Sequence, residues 1–150
     1  PRVTTMLGLV QRVSRASVSI KGSITGEIDQ GILLLLGVQK NDSNADVEKL
    51  LQKVLSYRIF SDDEEKMNLS LSDVGGGLLI VSQFTLAADT KKGLRPSFSA
   101  AAKPDHAEFL YDHFVAQAAR IHPVTQSGIF GANMQVSLCN DGPVTFMLSS

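Results

Sequence analysis

Tryptophan is absent from these 150 residues, and cysteine occurs once, as Cys139. A single thiol excludes an intrachain disulfide and any metal site built from several cysteines. Charge of neither sign dominates: 14 Lys and Arg stand against 15 Asp and Glu, for a net charge of −1. That balance argues against binding nucleic acid through a general basic field, but allows a local contact to an RNA end. Long apolar runs are missing too. The longest, residues 32–36, falls far short of the ~20 residues that cross a bilayer, so no membrane partner is expected. No basic stretch leads into an apolar one at the start, so no secretory signal is read and a cytoplasmic location is expected. H-E-x-x-H, C-x-x-C and Walker A spacings are all lacking, and neither a metal nor a cofactor is expected. Gly75-Gly76-Gly77 precedes a strand and opens no helix, so it lacks the context of a phosphate cradle.

What is present suits one domain with a sizeable core, the hydrophobic fraction being 43%. Residues 1–5 precede the first alternating pattern and read as a tag remnant or a mis-assigned start, leaving residues 6–150 as the domain. Residues 7–13 read as a strand. Ala16, Val18 and Ile20 then alternate with Ser17, Ser19 and Lys21, the period of a half-buried strand. Lys21-Gly22-Ser23 signals a turn and predicts that residues 24–28 pair back as a hairpin. Residues 32–38 and 78–81 are apolar on both faces, as central covered strands are.

Val47, Leu50, Leu51, Val54 and Leu55 mark one face of a helix after the cap cluster at residues 41–44. Ala107, Leu110, Tyr111, Phe114, Ala118 and Ile121 mark a second helix, opened by Pro104 and stopped near Pro123. Residues 57–60 read as a short strand, residues 62–66 as a charged loop tip, and residues 87–103 as irregular. The order predicts a single α+β domain, a mostly antiparallel or mixed, barrel-like β-sheet system covered by two main helices.

Chemistry has few places to sit. His106, His113 and His122 read as structural or solvated histidines. Leu78 to Val81 leads into Ser82-Gln83-Phe84-Thr85-Leu86, which brings polar groups to the rim of the core. Gly142-Pro143 interrupts two strand-like runs, residues 135–139 and 144–148. Proline lacks an N–H, so this dipeptide is either a plain turn or a rigid piece of backbone with its own task.

These two stretches, Ser82-Gln83-Phe84-Thr85-Leu86 and Asn140-Asp141-Gly142-Pro143-Val144-Thr145, together resemble the paired signature of the D-aminoacyl-tRNA (D-tyrosyl-tRNA) deacylases. The resemblance extends from Met6 onward through Gln11-Arg12-Val13, Gly93-Leu94-Arg95-Pro96-Ser97-Phe98 and Gly128-Ile129-Phe130-Gly131-Ala132-Asn133-Met134. It implies hydrolysis of the ester between a D-amino acid and the terminal ribose of tRNA, with the aminoacylated 3′ end as partner and no cofactor. It implies a homodimer in which a cis Gly142-Pro143 enters the partner's pocket and rejects L-amino acids, while achiral glycine passes.

On this reading Thr85 and Gln83 serve the reaction. Ser82, Phe84, Phe130, Ala132 and Met134 line the pocket with Gly142 and Pro143, and Arg12 braces the Gly-Pro loop. Lys91, Lys92, Arg95 and Lys103 are placed for acceptor-stem phosphates. Two other readings stay open: a deacylase with a trans Gly-Pro bond that edits L-aminoacyl-tRNA, and a non-catalytic dimeric module that binds RNA or a ligand.

Overall fold

The computed structural model describes residues 5–150. The alternation at the start of the chain produces one long strand, β1 (Leu7–Ile20), where the pattern predicts two shorter segments. Lys21 and Gly22 both take positive φ, 49° and 84°. That is the two-residue turn whose twist matches a hairpin, and it returns the chain as β2 (Ser23–Ile28), antiparallel to β1.

β3 (Gly31–Gly37) runs antiparallel to the first half of β1 and parallel to β6 (Gly77–Ser82). α1 (Asn44–Ser56) connects toward them, its first turn closed by Asp46 Oδ2, which accepts from the Ser43 N–H at 2.8 Å. Between α1 and β6 lie a small pair, β4 (Phe60–Ser61) with β5 (Met67–Leu69), and a single turn, α2 (Leu71–Val74). After β6 comes a 3-10 turn at Phe84–Ala87. α3 (Pro104–Ile121), β7 (Thr125–Ser127) parallel to β6, and β8 (Gln135–Ser149) antiparallel to β1 complete the chain.

The period of two decides which side chains meet which layer. Ile32, Leu34 and Leu36 of β3 and Leu78 and Ile80 of β6 point toward the helices. There they join Val47, Leu50, Val54, Leu110 and Phe114 in one cluster. Leu33, Leu79 and Val81 point the other way and join Val13, Ala16, Val18 and Ile28 in a second. The sheet therefore has helices on one face and curls around a smaller apolar interior on the other. The path β2-β1-β3-β6-β7 comes back on itself: a Cβ placed on Gly26 of β2 would lie 2.9 Å from the Ser127 carbonyl oxygen of β7. This is the barrel-like mixed sheet with two main helices expected from the element order.

Four local features are not fixed by the sequence pattern. Residues 57–60 supply a strand only at Phe60–Ser61. α2 has too few residues to show a period and is held by its ends, through Ser70 and Asp73 and through Gly75 at φ 65°. Ile121 is 47% exposed, because the chain leaves α3 there and His122 turns inward instead, its Nε2 donating to the Gly76 carbonyl at 2.7 Å. Gly142-Pro143 reverses nothing: residues 135–149 form one strand. The expected tag at residues 1–5 falls on residues 1–4 outside those described, while the Thr5 carbonyl accepts from Gln39 Nε2 at 2.5 Å.

The tightest approach in the sheet lies between β3 and β6. A Cβ on Gly31 would sit 1.9 Å from the Gly77 carbonyl oxygen, which is backbone and has little room to move. Gly31→Ala is expected to cost about 3 kcal/mol or more, read as a lower urea midpoint at unchanged slope.

Candidate functional site

Parallel β3, β6 and β7 all end on one side of the sheet, and the open ends of parallel strands are where loops gather over a crevice. Ser82 is the last residue of β6, opposite Leu36. The Gln83 N–H donates to the Leu36 carbonyl at 2.8 Å and pins the chain as it turns into Phe84–Ala87. The strand thus stops at Ser82, and Phe84 and Thr85 stand exposed on the turn, Phe84 at 59%. Gln83 Nε2 donates to Thr85 Oγ1. An amide cannot take up a proton, so this partner positions the hydroxyl without activating it. Phe84 packs at a tilt on Phe98 with ring centroids 5.2 Å apart. The stretch from residue 84 to residue 103 contains Lys91, Lys92, Arg95 and Lys103 and only one acid, Asp89.

The same sheet end carries a second turn. Beyond β7, residues 128–132 fold into a turn in which the Ala132 N–H donates to the Ile129 carbonyl at 3.2 Å. Gly131 takes φ 78°, which suits glycine there. Tyr111 fixes this turn from below. Its one hydroxyl proton is shared between the Ile80 carbonyl at 2.9 Å and the Gly128 carbonyl at 3.1 Å. Its ring lies 5.9 Å from that of Phe130. Met134 turns inward against the interior cluster and fills the space beside Gly128. Phe130 and Ala132 are half-buried.

Gly142 and Pro143 lie elsewhere. β1 advances from Gln11 to Val13 while β8 advances from Asn140 to Thr145, so β8 bulges outward between them. The Gly142–Pro143 bond is cis, Gly142 has φ 143°, and both residues are exposed. Arg12 spans this bulge: Nε donates to the Asp141 carbonyl at 2.9 Å and Nη1 to the Ile59 carbonyl at 2.8 Å. Its 4.0 Å approach to the Asp141 carboxylate is a minor addition, since that carboxylate is well exposed. Within one chain the bulge and Thr85 are not brought together. They are separated by four residues along β1 and by β1 and β3 across the sheet, on the order of 15 Å or more.

The structure thus gathers Ser82, Gln83, Phe84 and Thr85 at the sheet end that also carries Phe130 and Ala132, and sets Gly142, Pro143 and Arg12 apart. His106 and His122 serve the fold, His106 Nε2 donating to the Asp42 carbonyl at 2.7 Å. Sequence reasoning does not single out Tyr111, or Asn140, whose side chain bonds to Val144 and Thr145. Tyr111 looked like an ordinary core position, and only the turn chemistry of an N-D-G-P run hinted at Asn140. No described helix is long and apolar enough to cross a membrane.

Residues 9–149 match the family described as D-Tyr-tRNA(Tyr) deacylase. The D-aminoacyl-tRNA deacylase of Cellvibrio japonicus is 62% identical over 143 residues, covering 95% of this chain and 98% of that protein. That of Stutzerimonas stutzeri is 60% identical over 145 residues, covering 97% and 100%. A solved structure named c-Myc DNA Unwinding Element Binding Protein superposes with a TM-score of 0.91 at 39% identity, covering 96% of this chain and 98% of its own. A probable eukaryotic D-amino acid tRNA deacylase shares the fold, with a TM-score of 0.81 at 16% identity over 98% and 100% of the two chains. The chain belongs to the D-Tyr-tRNA(Tyr) deacylase family. It is an enzyme, a hydrolase of the D-aminoacyl-tRNA deacylase class.

Burial pushes the Tyr111 phenol up from 10.0 to about 12, against the opposing pull of its hydrogen bonds. The folded chain holds this proton more tightly than the unfolded chain does. The resulting stability is complete below the unfolded value and drains away as pH rises toward the folded one. Tyr111→Phe is expected to cost about 1–2 kcal/mol at neutral pH. The gap between wild type and variant should shrink from about pH 10 to about pH 12 in urea titrations.

Proposed function

We propose that this protein hydrolyses the ester joining a D-amino acid to the terminal ribose of tRNA, releasing the D-amino acid and free tRNA. The active unit is a homodimer, and Gly142-Pro143 of one protomer completes the pocket of the other. The observation that carries this reading is the tied-down bulge. Its two exposed residues stand on a strand that pairs only with β1 among the described residues, far from Thr85 of their own chain. Long unpaired strand edges are usually covered, and here Val136, Leu138 and Met147 add 36% to 51% exposed apolar side chains to the same strand. A second copy covers the edge and delivers the bulge to a pocket.

Selection follows from donor and acceptor chemistry. An ammonium group carries donors and no acceptor, and main-chain carbonyls held in one direction accept from it in one direction. A D-residue gives its ammonium to the Gly142 and Pro143 carbonyls with its side chain outward. An L-residue with the same ester placement drives its Cβ into that backbone and is rejected by contact. Side-chain identity is not read, so many D-amino acids are accepted, and glycine, lacking a Cβ, passes as well.

The turn at Phe84 offers leading N–H groups to the developing oxyanion. Gln83 and Thr85 position the ester, Ser82, Phe84, Phe130 and Ala132 line the pocket, and Met134 supports that wall from the interior side of Gly128. Since Thr85 has an amide and no base beside it, the tRNA 2′-hydroxyl directs the attacking water. Lys91, Lys92, Arg95 and Lys103 contact acceptor-stem phosphates, and the enzyme works in the cytoplasm, where charged tRNA is found.

Matched D-Tyr-tRNA and L-Tyr-tRNA test the proposal by the rate of ester loss. The D-ester is expected to disappear much faster, and equal rates, or none above background, would refute the reading. Thr85→Ala is expected to keep kcat within about tenfold, whereas losing a nucleophile costs on the order of 10⁴-fold or more.

A further inference from the structure

One side chain closes the bulge on the side that Arg12 leaves open. Asn140 is the last β8 residue paired with β1 before the bulge, opposite Val13, and Thr145 is the first after it, opposite Gln11. Asn140 Oδ1 accepts from the Val144 N–H at 2.7 Å. Asn140 Nδ2 donates to Thr145 Oγ1 at 2.9 Å and leans toward the Val144 carbonyl at 3.4 Å. Residues 141–143 are therefore held as a loop whose two ends are joined by a side chain, while Arg12 Nε fixes the Asp141 carbonyl at its entry.

The need for such a closure is local. Gly142 at φ 143° has a wide backbone range, and an exposed bulge has no ladder partner to hold its carbonyls. Arg12 restrains the carbonyl of Asp141, the residue before Gly142. Asn140 holds the main-chain N–H of Val144, the residue after Pro143, whose side chain also packs against the core, and a peptide plane is aimed by what holds it at both sides. An amide suits the task because it offers an acceptor to the Val144 N–H and a donor to the Thr145 hydroxyl at once.

We propose that Asn140 is a positioning residue for chiral selection, setting the direction of the Gly142 and Pro143 carbonyls through Val144 and Thr145. The inference rests on the reading that those carbonyls receive the substrate ammonium. It assigns discrimination between D- and L-esters to a side chain that itself touches no substrate.

The test compares D-Tyr-tRNA with L-Tyr-tRNA hydrolysis by the full-length dimer carrying Asn140→Ala or Asn140→Asp. Dimer mass and melting temperature are followed alongside. The aspartate keeps the acceptor for Val144 and can accept from the Thr145 hydroxyl. Asn140→Ala is expected to lower the D-over-L rate ratio at least ~10-fold, since small misplacement at a reacting centre is costly. It should remain dimeric with a melting temperature within about 4 °C of wild type. Asn140→Asp is expected to keep most of the ratio.

A folded, dimeric Asn140→Ala with an unchanged ratio would overturn the inference, as would an aspartate variant that loses as much as the alanine. If Asn140→Ala does not fold, Thr145→Val, which removes only the Nδ2 bond, carries the test: a lowered ratio supports the role and an unchanged one overturns it. A wild-type enzyme without preference for the D-ester would instead defeat the chiral reading itself, and this inference with it.

Discussion

β1 is the strand on which the rest of the molecule hangs. Along one edge it pairs first with β3 and then with β2, and along its other edge it pairs with β8 over nearly its whole length. One backbone thus fixes three others in register. A slip by one residue would send Val10 to the interior cluster and Val13 to the helical one, exchanging both layers of the core. The same register places Arg12 beside the β8 bulge. Its guanidinium reaches the Asp141 and Ile59 carbonyls because the pairing leaves it no other place to be.

From that constraint the two halves of the candidate site follow. β3 and β6, parallel and covered on both faces, carry the chain to the end where Ser82 gives way to Phe84–Ala87. β7 adds to β6 in parallel and delivers residues 128–132 to the same end, where Tyr111 anchors them through two main-chain carbonyls. β8 grows on the opposite edge and holds Gly142-Pro143 out from the sheet. The separation of the two halves within one chain is a consequence of strand order, and it is the geometry on which the proposed cross-subunit site rests.

Much of this was legible beforehand. The doubly apolar runs at residues 32–38 and 78–81 became β3 and β6, the spaced apolar residues became α1 and α3, and Lys21-Gly22 became the hairpin turn. The elements that escaped are those without a period. α2 is a single capped turn, and β4 and β5 have two and three residues, which no alternation can mark. Ile121 kept the helical spacing but lost its partner, because a helix end follows the chain's exit and not the pattern. Among the candidate-site residues, Gln83 and Thr85 are visible as polar groups ending an apolar strand, whereas the hydroxyl of Tyr111 finds its partners only across the fold, and the amide of Asn140 meets Val144 and Thr145 only because the bulge brings them back beside it.

Residue order alone determined which apolar side chains share a face of a strand or helix, because alternation and helical spacing are local geometry. It also determined where glycine and proline interrupt that geometry, since their backbone freedom and missing donor act on their own neighbours. Whether Gly142-Pro143 made a turn or a bulge was decided by tertiary structure. Residues 135–139 and 144–148 both found the same long partner in β1, and two segments bound to one strand in one direction cannot fold back on each other.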